Sequence, residues 1–368
     1  MKQDITISSL FSGCGGLDLG FKQAGFKLIW ANEIDEDAAS TYSRFVDSNI
    51  VVGDIVKLLN KIPKADVIIG GPPCQSFSLV GKRIYDDPRS QLVFSYFEAI
   101  AKIKPKAFVI ENVPGLCASY FNGERLHIYL SKKLSKLGYK VHLLRLNAAD
   151  FCVPQLRKRV FLIGHKLKTA FYLSSGSEFV TKIIKFKKQS LPVKCKDALD
   201  DLPNPTASDK KGVPYPRKKV SEYAQLMRLR ASKDVFLHFI PTMSSKDKLF
   251  VKYIPPGGNY KNIPDEISTK RIMNFKRTGG RTTTYGRLHP DRPAYTLNTY
   301  FNRPNVGTNY HFVQDRLITP REGLRLQSFT DEFIPTYNSQ RSLYKQIGNA
   351  VPPLMARGIA ESIKRLFK

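Results

Sequence analysis

The sequence predicts an α/β fold in which a doubly wound, mostly parallel sheet is joined to a second, smaller and irregular domain. Two observations support this prediction. Apolar strand patterns alternate with helical patterns over residues 1–165, and from about residue 166 the chain becomes basic, loop-rich and punctuated by proline. The chain has 368 residues, of which 42% are hydrophobic, so it can bury a sizeable core, and wholesale disorder is excluded.

The alternating segments define the expected sheet. Short apolar strands followed by helices build βαβ units, whose strands run parallel and end at one edge of the sheet. Residues that follow the strand ends should therefore gather at that edge. The predicted strands cover residues 5–11, 27–31, 67–69 and 107–110, with 140–146 and 160–164 as a closing pair, and the predicted helices cover residues 17–24, 36–45, 92–103 and 353–363.

Simpler features exclude several classes of protein. No apolar run approaches the roughly 18 residues of a membrane span, and the N-terminus has the pattern of a first strand rather than of a signal peptide. The five cysteines form no CxxC pair, which indicates a reducing compartment, so we expect a cytoplasmic protein without membrane association. Six scattered histidines without an HExxH motif argue against a metal site.

Charge gives the first functional signal. The chain has 59 Lys and Arg against 31 Asp and Glu, a net charge of +28. Residues 1–150 hold 19 basic and 15 acidic side chains, so almost the whole excess lies in the rest of the chain. This distribution favours a nearly neutral domain joined to one that binds a polyanion, and nucleic acid fits a folded, aromatic-rich segment better than a membrane does. A merely soluble basic surface is the alternative.

A glycine-rich turn at residues 11–16 follows the first predicted strand. Glu33 lies 20 residues beyond Gly13, the spacing at which an acidic side chain reaches ribose hydroxyls in doubly wound nucleotide-binding folds. The turn departs from GxGxxG, which binds a pyrophosphate, so a nucleoside cofactor without phosphates fits it better; a plain strand-to-helix turn is the alternative. Asp54 could meet an adenine amine or serve as an ordinary turn residue. Without ligand, we expect the Glu33 carboxylate to be solvated.

Residues 70–73, Gly-Gly-Pro-Pro, end another strand and place Cys74 at the same edge. The prolines fix the backbone and remove two N–H donors, and a rigidly presented thiolate suits covalent catalysis. An isolated cysteine is more often a small buried hydrophobe. Glu111 ends the next strand at this edge, where a carboxyl can be held protonated and act as an acid or hydrogen-bond donor, or can be purely structural.

Two pairs of basic residues complete the candidate site. Lys82 and Arg83 follow Gly81 in a loop that could touch phosphates. Arg157 and Arg159 alternate along an extended segment and therefore point the same way, which suits contacts to phosphates or base edges, although surface solvation is the usual role of such pairs.

Together these segments resemble the DNA (cytosine-5)-methyltransferases of the bacterial restriction–modification type. The resemblance covers nearly all of residues 1–165 and 316–368. Residues 166–315 match little in detail, as in that family's variable target-recognition domain, although Thr296-Leu297 resembles its DNA-contacting Thr-Leu pair. The segments found in family order are residues 11–16, Glu33, Asp54, 71–75, 111–113, 155–159, 321–322 with 325–329, and 346–352.

The resemblance implies a Rossmann-like, S-adenosylmethionine-dependent methyltransferase fold. Residues 1–165 and 316–368 would form the catalytic domain, and residues 166–315 the recognition domain. Carried over by matching position, the cofactor site would comprise Phe11, Gly13, Gly15, Gly16, Leu17, Glu33, Ile34, Asp54, Ile55, Pro72, Leu92, Asn349, Ala350 and Val351. The predicted DNA contacts are Gln75, Ser76, Lys82, Arg83 and Thr296.

The resemblance also implies the chemistry. A cytosine is flipped out of double-stranded DNA, and the Cys74 thiolate adds to its C6 so that C5 becomes nucleophilic. Glu111 would bind N3 and the exocyclic amine, Arg159 would hold O2, and Arg157 would support the site. We expect a monomer, with a restriction endonuclease acting on the same site as a candidate partner.

Three alternatives remain from the sequence. The tRNA-methylating branch of the family has a Cys-Phe-Thr motif, whereas here the only cysteine after residue 152 is Cys195, followed by Lys-Asp. A nicotinamide oxidoreductase would need GxGxxG and offers no role for Pro-Pro-Cys-Gln. A catalytically inactive DNA-binding protein is disfavoured because Cys74, Glu111 and both arginines are intact.

Overall fold

The computed structural model describes residues 4–73, 88–174, 176–185, 191–208 and 212–368. The chain divides into two compact units. The sheet unit comprises the described parts of Met1–Asn147, Lys158–Ser175 and Met355–Lys368, and the loop-rich unit those of Ala148–Arg157 and Gly176–Leu354.

A seven-stranded sheet is the framework of the sheet unit. Its strand order is β3-β2-β1-β4-β5-β7-β6, in which the first five strands are parallel and the last two are antiparallel to their neighbours. The carboxyl ends of the five parallel strands therefore meet at one edge. The strands are β1 (Thr6–Leu10), β2 (Lys27–Glu33), β3 (Ile50–Val52), β4 (Val67–Gly70), β5 (Ala107–Asn112), β6 (Lys140–Asn147) and β7 (Lys158–His165).

Helices cover the sheet and bury its apolar side chains. Tyr96 shows how a helix is fixed to the strands, because its buried hydroxyl lies 2.9 Å from the Val109 carbonyl oxygen of β5. Gly20 allows a close helix–helix contact, since a Cβ atom there would lie 2.4 Å from Ala356 Cβ. The helices that connect the strands are α1 (Gly16–Gln23), α2 (Glu36–Phe45), α3 (Ile55–Leu58), α4 (Pro88–Ile103) and α5 (Leu126–Lys136), with a hairpin of Tyr120–Phe121 and Glu124–Arg125 before α5.

The loop-rich unit has little sheet. Its short strand pairs are Gln155–Leu156 with Ala294–Tyr295, Gly286–Arg287 with Thr308–Tyr310, and Val213–Pro214 with Asp234–Val235. It begins with the short helical segments Gly176–Glu178 and Phe179–Ile184. The helices that follow are α6 (Cys195–Leu199), α7 (Glu222–Met227), α8 (Ser245–Phe250), α9 (Lys270–Thr278), α10 (Pro320–Leu326) and α11 (Gln340–Asn349). The last helix, α12 (Pro353–Arg365), belongs to the sheet unit from Met355 onward.

The α/β fold class is confirmed, and the predicted closing pair is the antiparallel pair β6 and β7. Each predicted strand and helix is present, with ends shifted by up to four residues. In the sheet unit the prediction missed β3, α3 and α5, and in the loop-rich unit it named none of the helices α6 to α11. The compact units also divide the chain differently from the predicted domains, because the contacts group residues 316–354 with the loop-rich unit and only 355–368 with the sheet unit. Which segment recognises DNA stays a prediction.

None of the described helices is both long and apolar enough to span a membrane.

Candidate active site

The glycine-rich turn connects β1 to α1 at the carboxyl edge of the sheet. Gly15 has a φ angle of +91°, and a Cβ atom there would lie 2.4 Å from Val46 Cγ2 and 2.8 Å from the Tyr42 ring. Only glycine satisfies both conditions. Phe11 and Gly13 also have positive φ angles, so three residues of this turn have left-handed backbone conformations.

Glu33 holds this turn from the end of β2. One carboxylate oxygen, Oε2, accepts the Gly13 N–H at 2.7 Å, and the other, Oε1, accepts the N–H groups of Ile34 and Asp35 at 2.9 and 3.0 Å. The expectation of a simply solvated carboxylate is therefore wrong. Charge-assisted hydrogen bonds to backbone amides are among the stronger ones in proteins, so Glu33 fixes the turn before any ligand binds.

Asp54 lies at the start of α3, where its side chain accepts the Val56 N–H at 3.0 Å. Apolar side chains stand exposed around the two acidic residues: Ile34 is 67%, Val52 50% and Val56 45% exposed. Val52 is the direct strand partner of Glu33. An exposed apolar surface beside two carboxylates suits a ligand with a flat apolar ring and polar hydroxyl or amine groups.

Other predicted cofactor residues are less accessible. Ile55 and Leu17 are buried, at 2% and 5% exposure, and Leu92 is half-buried against the core of the sheet unit. The side chain of Ile55 belongs to that same core, so it stabilises the fold in this structure. Gly16 begins α1, directly after Gly15.

The end of β4 is bound to the end of β5. The Asn112 amide donates to the Pro72 carbonyl oxygen at 2.9 Å, which fixes the turn that leads towards residue 74. A Cβ atom on Gly71 would lie 3.0 Å from Glu111 Oε2, so this backbone passes directly over the Glu111 carboxylate.

Glu111 and Arg159 form the central ion pair of the sheet edge. Arg159 Nε lies 2.8 Å from Glu111 Oε1, and the side chains of Arg159 and Glu111 are only 11% and 12% exposed. Arg159 also donates through Nη1 to the Lys158 carbonyl oxygen at 2.8 Å. An arginine has five N–H donors, so it can orient the carboxylate and still offer donors to another group.

Cys74 lies outside the described residues, as do Gln75, Ser76, Lys82 and Arg83. Their predicted roles stay predictions.

Arg157 has a different environment from Arg159. It belongs to the loop-rich unit and is fully buried, and its guanidinium donates to the carbonyl oxygens of Leu297 at 2.9 Å, Gly348 at 2.7 Å and Ala350 at 3.0 Å. It therefore joins three chain segments. The prediction that it supports the site is compatible with this structural role.

The remaining predicted residues also lie in the loop-rich unit. The Thr296 hydroxyl donates to the Leu156 carbonyl oxygen at 2.7 Å. Asn349 is exposed at the end of α11, whereas Ala350 and Val351 are each 8% exposed.

Sequence reasoning missed four amide side chains that hold the predicted residues in place. Asn32 binds the Val51 and Gly53 carbonyl oxygens at 3.1 and 2.9 Å, and Asn112 binds Pro72. Gln155 accepts the Leu297 N–H at 3.0 Å, and Gln327 donates to the Ile347 carbonyl oxygen at 2.8 Å. The available signal was their position next to candidate residues, as in Asn32-Glu33 and Glu111-Asn112.

The family follows from comparison with known proteins. The family model for C-5 cytosine-specific DNA methylases matches residues 5–365, so the chain belongs to this family. It is a DNA cytosine-5-methyltransferase, as the segments from residue 11 to residue 352 suggested.

Two relatives and two solved structures illustrate the likeness. The Type II methyltransferase M.DdeI of Desulfomicrobium norvegicum is 34% identical, over 99% of this chain and 89% of that protein. M.NgoPII of Neisseria gonorrhoeae is also 34% identical, over 98% and 96%. A crystal structure described as a DNA modification methyltransferase encoded within a prophage (E. coli) has a TM-score of 0.72 at 25% identity, covering 99% of both chains. The S. pombe Dnmt2 methyltransferase, at 16% identity, TM-score 0.63 and 99% and 98% coverage, shows likeness of fold alone.

Proposed function

We propose that this enzyme transfers a methyl group from S-adenosylmethionine to C5 of a cytosine within a specific duplex DNA sequence, by flipping the base and forming a covalent bond through Cys74. The observation that carries the proposal is the Glu111–Arg159 ion pair, 2.8 Å long and nearly buried at the sheet edge, beneath the backbone that leads to Cys74. The similarity to Type II methyltransferases supports a role in restriction–modification.

The sheet edge fits the cofactor. Glu33 would bind ribose hydroxyls, and the exposed side chains of Ile34 and Val56 would offer apolar surface to an adenine ring, with Asp54 for the adenine amine. Gly13 would let the backbone come close to the ligand, because a Cβ atom there would meet no other atom within 4 Å. When bound, S-adenosylmethionine supplies an electrophilic methyl group.

The pyrimidine ring needs activation, because C5 of cytosine is a poor nucleophile and is stacked within the duplex. Unstacking one base costs a few kcal/mol, which the basic surface can offset through phosphate contacts. Glu111, oriented by Arg159, would hydrogen-bond N3 and the exocyclic amine of the flipped base. Arg159 would use other N–H donors for O2, so the pair would bind three polar groups along the Watson–Crick edge of the ring.

The reaction makes and breaks bonds at C5 and C6 of the cytosine ring. The Cys74 thiolate would form a bond to C6, and the C5–C6 π electrons would then bond C5 to the methyl group, while the methyl–sulfur bond of the donor breaks and its electron pair stays on sulfur. Loss of the C5 proton to a base then restores the C5–C6 double bond and expels the Cys74 thiolate. Glu111, carrying a proton, would donate it in a hydrogen bond to N3 and so stabilise the negative charge that the addition develops there.

Bisulfite sequencing of plasmid DNA from cells that express the enzyme tests the function. The wild type should protect cytosines within one recurrent sequence, and Cys74→Ala should abolish this protection while DNA binding persists. Cys117→Ala is the matched control, because it removes another thiol, one that is buried away from solvent. Methylation by Cys74→Ala within tenfold of the wild type would contradict the covalent mechanism.

A second experiment tests the covalent bond directly. Duplex DNA with 5-fluorocytosine at the mapped position should trap a Cys74 adduct after methylation, because no C5 proton can leave. Mass spectrometry of the trapped peptide would identify the residue. DNA binding without any methylation would instead favour an inactive DNA-binding protein.

A further inference from the structure

Helix α9 is the most basic helix of the loop-rich unit. It contains Lys270, Arg271, Lys276 and Arg277 within nine residues and has no acidic residue. Neither the predicted sites nor the mechanism uses this helix. Its charge therefore needs an explanation of its own.

The helix is rigidly attached. Ile272 is fully buried in the second hydrophobic core, and the Phe275 ring packs edge-on against Tyr260 at a centroid distance of 5.7 Å. Thr269 caps the first turn by accepting the Ile272 N–H, and Gly279 ends the helix at a φ of +77°. The helix therefore presents its outer face from a fixed support.

Two of the four basic residues contact the groups that attach the helix: Lys276, and Arg271, whose guanidinium lies 5.2 Å from the centroid of the Phe275 ring. Lys276 pairs with Asp265 and also donates to the Ile263 carbonyl oxygen. Within the described part of the chain, Lys270, Arg271 and Arg277 form no ion pair with a carboxylate. Their charge is therefore available to a partner.

The outer face has an ordered pattern. Lys270, Met273, Asn274 and Arg277 stand at i, i+3, i+4 and i+7, which places them in one stripe along the helix. All four are exposed, and Arg277 Nη2 donates to Asn274 Oδ1 at 3.2 Å. The amide and the guanidinium are thus already oriented side by side.

We infer that this stripe, Lys270, Met273, Asn274 and Arg277, is a DNA-contacting surface that enters the major groove of the substrate duplex. An α-helix fits that groove; asparagine recognises adenine and arginine recognises guanine by paired hydrogen bonds. Lys270 binds a backbone phosphate, and Asn274 with Arg277 contacts base edges. The inference rests on the proposed action on duplex DNA.

Helix α5 provides a matched control. It is basic too, with three lysines and no acidic residue, but it lies in the sheet unit, and Lys132 there pairs with Glu124. Lys136→Ala removes one exposed positive charge from the last turn of this helix. It changes the net charge by the same amount as Lys270→Ala.

The first test measures binding of plasmid DNA fragments across a series of salt concentrations. Lys270→Ala should reduce the slope of log affinity against log salt by about 1, the loss expected for one phosphate contact. Lys136→Ala should leave the slope at the wild-type value. An unchanged slope in Lys270→Ala, with the thermal melting curve intact, would overturn the DNA contact.

The second test measures site choice. In bisulfite sequencing of plasmid DNA, Asn274→Ala should raise the ratio of methylation outside the wild-type recognition sequence to methylation within it by about tenfold, because one base-specific contact is lost. Unchanged site choice would overturn base recognition by this helix. A wild-type enzyme that leaves the plasmid unmethylated would instead contradict the proposed function itself, so the two failures are distinguishable.

Discussion

The two units stabilise their polar groups in different ways. In the sheet unit, polar side chains at strand ends bind backbone amides and carbonyls, as Glu33 does with three N–H groups and Asn112 with Pro72. In the loop-rich unit, whole arginine side chains are buried and bind carboxylates and carbonyls. A regular sheet satisfies its own backbone, whereas an irregular chain needs side chains to satisfy its carbonyl groups.

Arg325 is the clearest case in the loop-rich unit. Its guanidinium contacts both Asp201 and Asp331 and donates to the Ala198 carbonyl oxygen at 2.9 Å, and the Arg325 side chain has no solvent exposure. The two carboxylates carry one more charge than the Arg325 guanidinium can neutralise. Arg228 offsets this excess negative charge by binding Asp201 at 2.7 Å. These buried ion pairs connect segments that are more than 120 residues apart in the sequence.

Arg325→Met should give the largest effect, a loss of about 3–5 kcal/mol in the free energy of unfolding, because Asp201 and Asp331 lose their main buried partner. Urea denaturation measures the change. In the sheet unit, Lys132→Ala breaks an exposed pair and should cost less than about 1 kcal/mol. Equal losses in the two variants would contradict the distinction between the units.

Gly15→Ala should have the next largest effect and acts in the sheet unit. The substitution forces alanine to a φ of +91° and places its Cβ against Val46, so we expect a loss of about 3 kcal/mol. Gly13→Ala is the matched control. It also has positive φ, but a Cβ atom there meets nothing within 4 Å, so it should cost only about 1 kcal/mol. Similar denaturation midpoints for both variants would show that contact with Val46 is unimportant.

Much of the sheet unit could be predicted from sequence because its signals are local. Apolar strands, the glycine-rich turn and the helix at Glu36–Phe45 follow from periodicity and turn chemistry within about 20 residues. The same logic placed Glu33 and Glu111 at the correct strand ends. It missed β3 because three residues, Ile50–Val52, are too short for periodicity to show.

The loop-rich unit could not be predicted in this way because its contacts join distant segments. Gln155 binds Leu297 and Leu326, more than 140 residues away, and no local pattern indicates this. Arg325 belongs to a motif that suggested family membership, but its burial between two aspartates depends on the tertiary structure alone. The solvated carboxylate expected at Glu33 was wrong for another reason, because its partners are backbone N–H groups, which no side-chain pattern in the sequence indicates.

His311 makes the stability of the loop-rich unit fall in acid. Burial lowers the pKa of His311 to about 4, below the ordinary value of 6.5, and Glu322 only partly opposes this. The unfolded chain therefore binds the proton more tightly, so stability is lost as pH falls from about 6.5 to about 4, by about 3 kcal/mol in all. His311→Asn should remove this loss. If the assignment is wrong, denaturation across that pH range would show the same change of unfolding free energy with pH in His311→Asn and in the wild type.

Asp18 gives the sheet unit the opposite response. Burial raises the pKa of this carboxyl to about 6, although the Tyr42 hydroxyl, 2.9 Å from Oδ1, favours the charged form. The folded protein binds the proton more tightly than the unfolded chain does, so the protonated Asp18 carboxyl stabilises the fold at about pH 4. This stabilisation is lost as pH rises through about 6, by about 3 kcal/mol at most. Asp18→Asn should therefore match the wild type near pH 4 and exceed its stability at pH 7. A stability difference that is independent of pH would contradict the assignment.

Glu33→Ala should give the smallest effect and tests both the turn and the cofactor site. Loss of a charge-assisted hydrogen bond should weaken S-adenosylmethionine binding by about 1.5–3 kcal/mol, measured by calorimetry. Because Glu33 also accepts the Gly13, Ile34 and Asp35 amides, the melting temperature of the free enzyme should fall as well. Glu33→Gln keeps one oxygen acceptor and should recover part of the melting temperature, but not the charge-dependent part of the affinity. A full recovery of affinity in Glu33→Gln would mean that the carboxylate charge is unimportant for the ligand, and unchanged affinity in Glu33→Ala would reject the ribose contact.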